Sequence, residues 1–158
     1  MPEKTLLVVD LQPTFKVEPY YTKLLNFIEK NRDNYSKIIA TRFVNNPDSI
    51  FVRKLGYKDC EKAEELDFKA DYIIEKNAHY DIRSGTIKEL LSNKNIDVMG
   101  ADADACVLST CFSLWNNDIN FHILKDYIYS SGGDKYLEQA ISIMSRNFGE
   151  AIFLEATK

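Results

Sequence analysis

The sequence predicts an α/β domain in which helices cover both faces of a parallel sheet, a three-layer α/β/α sandwich. Three observations carry that expectation. Short apolar runs alternate with longer amphipathic ones along all 158 residues. The apolar runs are β-branched and lack polar alternation, which is how strands covered on both faces read. No repeat, low-complexity tract or Pro/Gly/Ser-rich linker breaks the alternation, so one domain spanning residues 1–158 is expected. Alternating strands and helices of this kind are joined by right-handed crossovers, which makes the strands parallel.

Six strand candidates follow in order: Thr5–Val9, Lys37–Thr41, Tyr72–Ile74, Ile96–Met99, Asn120–Leu124 and Glu150–Phe153. Each ends in polar or glycine punctuation. Between the first two, Tyr21–Asn31 sets Leu24, Leu25, Phe27 and Ile28 on one stripe, with Lys23, Glu29 and Lys30 away from it. Thr86–Leu91, after Gly85, places Ile87, Leu90 and Leu91 inward. Ala105–Asn116 has Val107, Leu108, Cys111 and Leu114 at helical offsets, and Asp134–Arg146 repeats the pattern with Leu137, Ala140, Ile141 and Met144. Asn45–Ala70, with Pro47, Gly56 and many charges, reads as loop with one short helix near Ser49–Leu55.

Composition narrows the function. A chain of roughly 150 residues buries about 68–70% of its extended surface, and 45% hydrophobic residues supply a core without staples. The net charge is −4, with acids and bases interspersed and no basic block, so nucleic acid is not an expected partner. No apolar run approaches the roughly 20 residues that span a bilayer, so no membrane is expected either. The stretch Met1-Pro2-Glu3-Lys4 leads straight into a strand-like run too short for a secretory h-region, so no secretory leader is expected. Three cysteines, Cys60, Cys106 and Cys111, lack CxxC spacing, which fits reduced thiols in the cytoplasm. The only histidines are His79 and His122, neither at metal-ligand spacing, so neither a metal nor another cofactor is expected.

In an open parallel sheet, ligands gather outside the carboxyl ends of the strands. Residues following each strand therefore name the candidate site: Asp10, Gln12 and Phe15; Arg42 and Asn45; Lys76; Gly100 through Cys106; and Asp126. An acid, an amine and a thiol converge there. Cys106 opens an amphipathic helix, whose positive end and free N–H groups favour thiolate and can hold an oxyanion. A neighbouring Lys76 ammonium would lower the thiol further, and Asp10 can shuttle its proton. Taken singly, each has an ordinary reading: Cys106 as core, Lys76 as a solvated charge, Asp10 as a turn cap. Together on one sheet edge they point to chemistry.

At this point the residues resemble a known family, the isochorismatase-like cysteine hydrolases that include nicotinamidases. The likeness runs through Val8-Val9-Asp10-Leu11-Gln12-Pro13-Thr14-Phe15, Thr41-Arg42 and Glu75-Lys76. It is most specific at Gly100-Ala101-Asp102-Ala103-Asp104-Ala105-Cys106-Val107 with Thr110, and it closes with Asp126 and Ser130. The resemblance implies a doubly wound, Rossmann-like sheet of six parallel strands in the order 3-2-1-4-5-6. It implies a catalytic triad of Asp10, Lys76 and Cys106, an oxyanion hole from the backbone N–H groups of Asp102 and Cys106, a cis Ala101–Asp102 peptide, and a homo-oligomer, dimer or tetramer. The family's metal-dependent nicotinamidases carry an aspartate and histidines after the second strand. Here Phe43-Val44-Asn45-Asn46-Pro47-Asp48 has no histidine, which argues against that activity.

Around the triad, Gln12, Phe15, Arg42 and Tyr80 are candidate substrate contacts, with Phe15 and Tyr80 as pocket walls and Arg42 as a carboxylate clamp or salt-bridge partner. Cys111 reads as core, Cys60 as a surface thiol, Trp115 as packing or an oligomer contact, His79 as an exposed loop residue, and Asp126 as a loop cap. Asp102 and Asp104 would oppose thiolate formation if they point inward. The expected function is hydrolysis of a small amide or related acyl substrate through a thioester. Two other readings stand beside it: a family member that binds a small ligand without turnover, and a receiver-like signalling domain. A receiver needs a second acid beside Asp10, where Leu11 stands, and its lysine last in order, whereas Lys76 precedes the Cys106 segment.

Overall fold

Six parallel strands form the sheet, in the order β3-β2-β1-β4-β5-β6. They are β1 (Lys4–Val9), β2 (Lys37–Val44), β3 (Tyr72–Asn77), β4 (Asn95–Ala101), β5 (Asn120–Tyr129) and β6 (Phe153–Leu154). The helices are α1 (Tyr20–Asn31), α2 (Ile50–Leu55), α3 (Ser84–Leu90), α4 (Cys106–Asn116) and α5 (Asp134–Phe148). This computed structural model describes residues 3–155. The expected domain span also includes residues 1–2 and 156–158, which lie outside the described residues.

Two apolar layers sandwich the sheet, and β1 shows why its run is uninterrupted. Leu6 and Val8 pack on one side with Leu24, Phe27 and Ile28 of α1. Leu7 and Val9 pack on the other with Ile87 of α3, Val107, Cys111 and Leu114 of α4, and Ala140 and Met144 of α5. At about 1.5–3 kcal/mol per fully buried aliphatic side chain, these two layers supply the main drive to fold. The order reverses between β1 and β4, and that switch point opens the crevice at the carboxyl edge.

Gly100 lets β1 and β4 approach there. It pairs with Val9 at φ 128°, and a Cβ on it would stand 2.1 Å from the Val9 carbonyl oxygen. No other residue fits that position.

Four strands differ most from expectation. The second, expected to end at Thr41, continues through Arg42 to Val44. The fifth strand continues to Tyr129 rather than stopping at Leu124. Its register against β4 jumps from Val98↔Ile123 to Gly100↔Ile128, so the polar pair Lys125-Asp126 is carried outward inside a bulged strand. Asp126 is therefore an exposed strand residue and caps no loop. The last strand is only Phe153–Leu154, because Glu150–Ile152 coil into a 3-10 turn after Gly149. The third strand runs past Ile74 to Asn77, which sets Lys76 two residues on from Ile74 and on the same inward face. The short helix within the long loop is α2, capped by the Ser49 hydroxyl on Val52 N–H (3.2 Å) and ended by Gly56 at φ 65°.

Candidate active site

Asp10 is the first residue past β1 and takes a left-handed backbone, φ 46°, which turns its carboxylate into the crevice. Aspartate tolerates that conformation better than most side chains. The carboxylate is wholly buried. Its Oδ1 accepts from the Thr41 hydroxyl at 2.6 Å, and the same Thr41 oxygen accepts from Asp10 N–H at 3.0 Å. Its Oδ2 meets the Lys76 ammonium at 2.6 Å and has no hydroxyl or amide donor. Thr41 is a functional neighbour that residue-type reasoning left without a role; its place one residue before Arg42 at the end of an apolar run was the available signal.

Lys76 is likewise fully buried. Its Nζ donates to the Tyr80 carbonyl at 2.8 Å and faces Asp10 and the Cys106 sulfur. Burial alone would lower the lysine pKa, but the Asp10 carboxylate and Cys106 override it, so the ammonium is held above its ordinary value. A charged lysine sealed from water survives only with such partners.

Cys106 is the first residue of α4, 7% exposed, and lies beside both members of the ion pair. Among the described residues its amide N–H and that of Asp102 have no hydrogen-bond acceptor, whereas Val107 N–H bonds the Asp102 carbonyl at 3.0 Å. Both free groups belong to the turn that enters the helix, where unpaired donors are inherent. The Ala101–Asp102 peptide is cis.

The thiol is not the depressed one expected from helix dipole and lysine. Burial pushes its pKa well above the ordinary range, Asp10 adds to that, and Lys76 only partly offsets it. The dipole acts over the first turn, but loss of water and an adjacent carboxylate outweigh it. The thiol is therefore neutral at rest, beside the Asp10–Lys76 salt bridge. Asp102 borders the Cys106 cleft and Asp104 is not in its lining, and neither is among the groups that act on the thiol. They bind serines instead: Asp102 accepts from Ser131 N–H and hydroxyl, each at 2.7 Å, and Asp104 from the Ser130 hydroxyl at 2.6 Å. With Ala103 N–H on the Tyr129 carbonyl (2.8 Å), these bonds lace the loop before α4 to the one after β5.

Cys106 opens into a cleft of about 320 Å³, whose lining includes Phe15, Phe51, Tyr57, Tyr80 and Asp102. Phe15 and Tyr80 thus stand where substrate contacts were expected. Gln12 and Arg42 do not. The Gln12 amide is wholly buried and donates to the Phe43 carbonyl (3.1 Å) and Glu64 (2.9 Å) while accepting from Phe43 N–H (2.8 Å). It ties the ends of β1 and β2 together, with both amide hydrogens engaged and no surface exposed to the cleft. Arg42 is spent on Glu75 (3.1 Å) and the Glu64 carbonyl (3.1 Å). Cys60 also departs from expectation: it is buried, 3.6 Å from both Gln12 Nε2 and Glu64. Cys111 is sealed in the core, Trp115 is half exposed against Phe148, and His79 is half buried on Asp81.

The segment after β2 does not fit a metal. Asn45 donates to the Tyr57 and Asp59 carbonyls (2.9 and 3.2 Å) and accepts from Ser49 and Asn46, so its amide is committed to the loop. Among the described residues no three His, Cys, Asp or Glu side chains converge on a point. Nor, among those residues, is any helix long and apolar enough to cross a membrane.

A family model described as the isochorismatase domain matches residues 4–156. No curated protein matches significantly. Among solved structures the chain is similar to nicotinamidase from Bacillus subtilis, at 16% identity and TM-score 0.71, covering 93% of this chain and 97% of that one. It is similar to an isochorismatase-like hydrolase from Alkaliphilus metalliredigens, at 15% and 0.74, covering 91% of each. It is similar to N-carbamoylsarcosine amidase from Thermoplasma acidophilum, at 19% and 0.70, covering 93% of each. At these identities the likeness is one of fold.

Proposed function

The chain belongs to the isochorismatase family, and from that premise we propose that it hydrolyses a small amide or related acyl compound through a thioester on Cys106. The observation that supports this most is a buried Asp10–Lys76 ion pair beside a thiol that opens on a cleft. A protein gains little stability from burying such a pair, so its presence beside a nucleophile argues for chemistry.

In the proposed cycle the Cys106 sulfur attacks the amide carbon as its proton passes to Asp10 Oδ2, the oxygen without a hydroxyl or amide donor. Lys76 holds charge balance: its ammonium stabilises the sulfur as it becomes anionic while Asp10 turns neutral. The carbonyl oxygen gains the negative charge and takes the free N–H groups of Asp102 and Cys106. Collapse breaks the C–N bond, and Asp10 returns the proton to the departing nitrogen, which leaves as ammonia or an amine. Water then attacks the thioester, giving one proton to Asp10. The C–S bond breaks, the acid departs, and Asp10 reprotonates the sulfur. The net reaction is amide plus water giving acid plus amine.

Ammonia release from a panel of small primary amides, with intact mass spectrometry after acid quench, tests this. Turnover accompanied by an acyl adduct on Cys106 is expected, and Cys106→Ala should lose both. Turnover that survives Cys106→Ala rejects the mechanism.

A further inference from the structure

The cleft beside Cys106 carries an unbalanced charge that its role as a hydrolase site does not require. Asp59 and Asp102 both line it and, among the described residues, no lysine, arginine or histidine does. Lys76 lies beneath the thiol, but Asp10 neutralises it and water does not reach it. Basic side chains Lys54, His79 and Arg83 line a second cleft instead, one that shares the wall of Phe51, Leu55 and Tyr80. The field of the acids enters the first cleft. The Tyr57 hydroxyl is held protonated by burial first, then by the Cys60 thiol, Asp59 and, more weakly, Asp102. Burial, then Cys106 and Asp104, act the same way on Tyr80.

The walls are aromatic in an unbroken chain. Phe15 meets Phe43 edge-on with centroids 6.3 Å apart; Phe43 meets Phe51 at 5.2 Å and Tyr57 at 6.4 Å; Phe51 meets Tyr80 at 5.0 Å. All five rings line the space above Cys106. Ring faces attract cations, and most strongly where water is excluded. Carboxylates on an aromatic wall reinforce that attraction and repel anions. At about 320 Å³ the space suits a small molecule.

Resting on the reading of this cleft as the substrate site, we infer that it takes small molecules with a cationic head, an ammonium or quaternary ammonium group, and turns anionic ones away. The ammonium sits against the rings between Asp59 and Asp102, and the amide carbon comes to the Cys106 sulfur. A neutral molecule of the same shape keeps the aromatic contacts and loses the charge attraction.

Two measurements test this and separate it from the hydrolase reading. The first needs no turnover. The whole protein is labelled with three methanethiosulfonates, one bearing trimethylammonioethyl, one sulfonatoethyl and one methyl, and modification of Cys106 is followed by peptide mass mapping. Rates are normalised to N-acetylcysteine amide. The cationic reagent should outpace the anionic one by about tenfold or more at low salt, with the ratio shrinking as salt rises. Asp59→Asn should lower that ratio about threefold. A ratio near one, an inverted ratio, or a Cys106 that none of the reagents reaches overturns the inference. The second measurement compares ammonia release from betaine amide, its uncharged isostere 3,3-dimethylbutanamide, and succinamate. The order should be cation, neutral, anion. Turnover with the neutral or anionic amide ahead overturns the inference and leaves the hydrolase standing. Cation-selective labelling without ammonia from any amide supports the cationic cleft and counts against hydrolysis.

Discussion

The two ends of the sheet hold nearly the same ingredients and differ in what surrounds them. At the carboxyl edge, Asp10 binds the Thr41 hydroxyl and Lys76. At the amino edge, Asp97 of β4 binds the Tyr35 hydroxyl at 2.8 Å and Lys4 at 3.5 Å. Both carboxylates are buried. The lysines are not alike: Lys76 is fully enclosed, whereas the Lys4 side chain is 47% exposed. Both of the oxygens of Asp97 have donors, whereas Oδ2 of Asp10 has only the ammonium and the thiol beside it. A carboxylate, a hydroxyl and an amine therefore make no catalytic site by themselves. A cleft of about 370 Å³ borders Lys4, Tyr35 and Asp97 as well, so the helix start and the thiol distinguish the two ends, and only the carboxyl edge at the switch point supplies both.

Substituting each carboxylate by its amide should separate the two ends most sharply. Asp10→Asn cannot carry a proton, and loss of a general acid–base group costs about 10²- to 10⁴-fold in turnover. Asp97→Asn, at the far end of the sheet, should leave kcat/KM within about twofold, since distant sites act nearly independently. Ammonia-release kinetics on both variants check this. Equal losses would mean that Asp10 acts only through folding.

The lysines give the next largest contrast, in stability. Lys76→Met leaves a buried carboxylate without its partner, which costs about 3–5 kcal/mol. Lys4→Met removes a half-exposed pair and should cost under about 1 kcal/mol. Urea midpoints measure both. Lys76→Met combined with Asp10→Leu should recover much of the loss while remaining inactive, because an apolar pair can replace a buried ion pair at little cost.

This asymmetry between the ends explains what could and could not be read from the chain. Asp10, Lys76 and Cys106 were legible because each stands at or just beyond an apolar run, and parallel topology sends every such position to one edge. Lys76 was legible as a site residue but not as a strand residue, since a lysine inside β3 looks like the end of β3. Gln12 and Cys60 sit elsewhere than expected for one shared reason, while the salt-bridge reading of Arg42 was met, by Glu75 of β3. Gln12 and Cys60 share Glu64 as a partner, and Glu64 belongs to the long loop between α2 and β3, whose path no periodicity reveals. The bulge in β5 hid behind Lys125-Asp126, which read as a strand end. The charge state of Cys106 was also missed. Spacing shows a helix start and a neighbouring lysine, but not how completely water is excluded.

That exclusion predicts alkaline behaviour. The Cys106 thiol ionises at lower pH in the unfolded chain than in the folded one, because burial raises its folded value. Its contribution to stability is complete below the unfolded value, near 8.5–9, and is lost as pH rises above it, by up to about 1.4 kcal/mol per pH unit. Lys76, also raised, begins to matter only above its own ordinary value near 10.5. Between about pH 9 and 10.5, Cys106→Ala should therefore flatten the decline by roughly one proton's worth. Urea melts across that range measure it, and an unchanged slope would return the thiol to an ordinary environment.

The smallest contrast lies in the two hydroxyls. Tyr35→Phe and Thr41→Val each remove one hydrogen bond to a buried carboxylate, which costs about 1–3 kcal/mol of stability. If both ends were only structural, the two variants would differ only in stability, Thr41→Val losing the bond from Asp10 N–H as well. Thr41 holds Oδ1 of Asp10 and accepts from its N–H, so it sets the direction in which Oδ2 presents itself to the sulfur. Thr41→Val should therefore lower kcat about tenfold with little change in KM, since a small misplacement of a catalytic group is expensive. Thr41→Ser, which keeps the hydroxyl, should restore it. Tyr35→Phe should leave both constants unchanged. A Thr41→Ser variant as slow as Thr41→Val would show that the methyl group, and not the hydroxyl, positions Asp10.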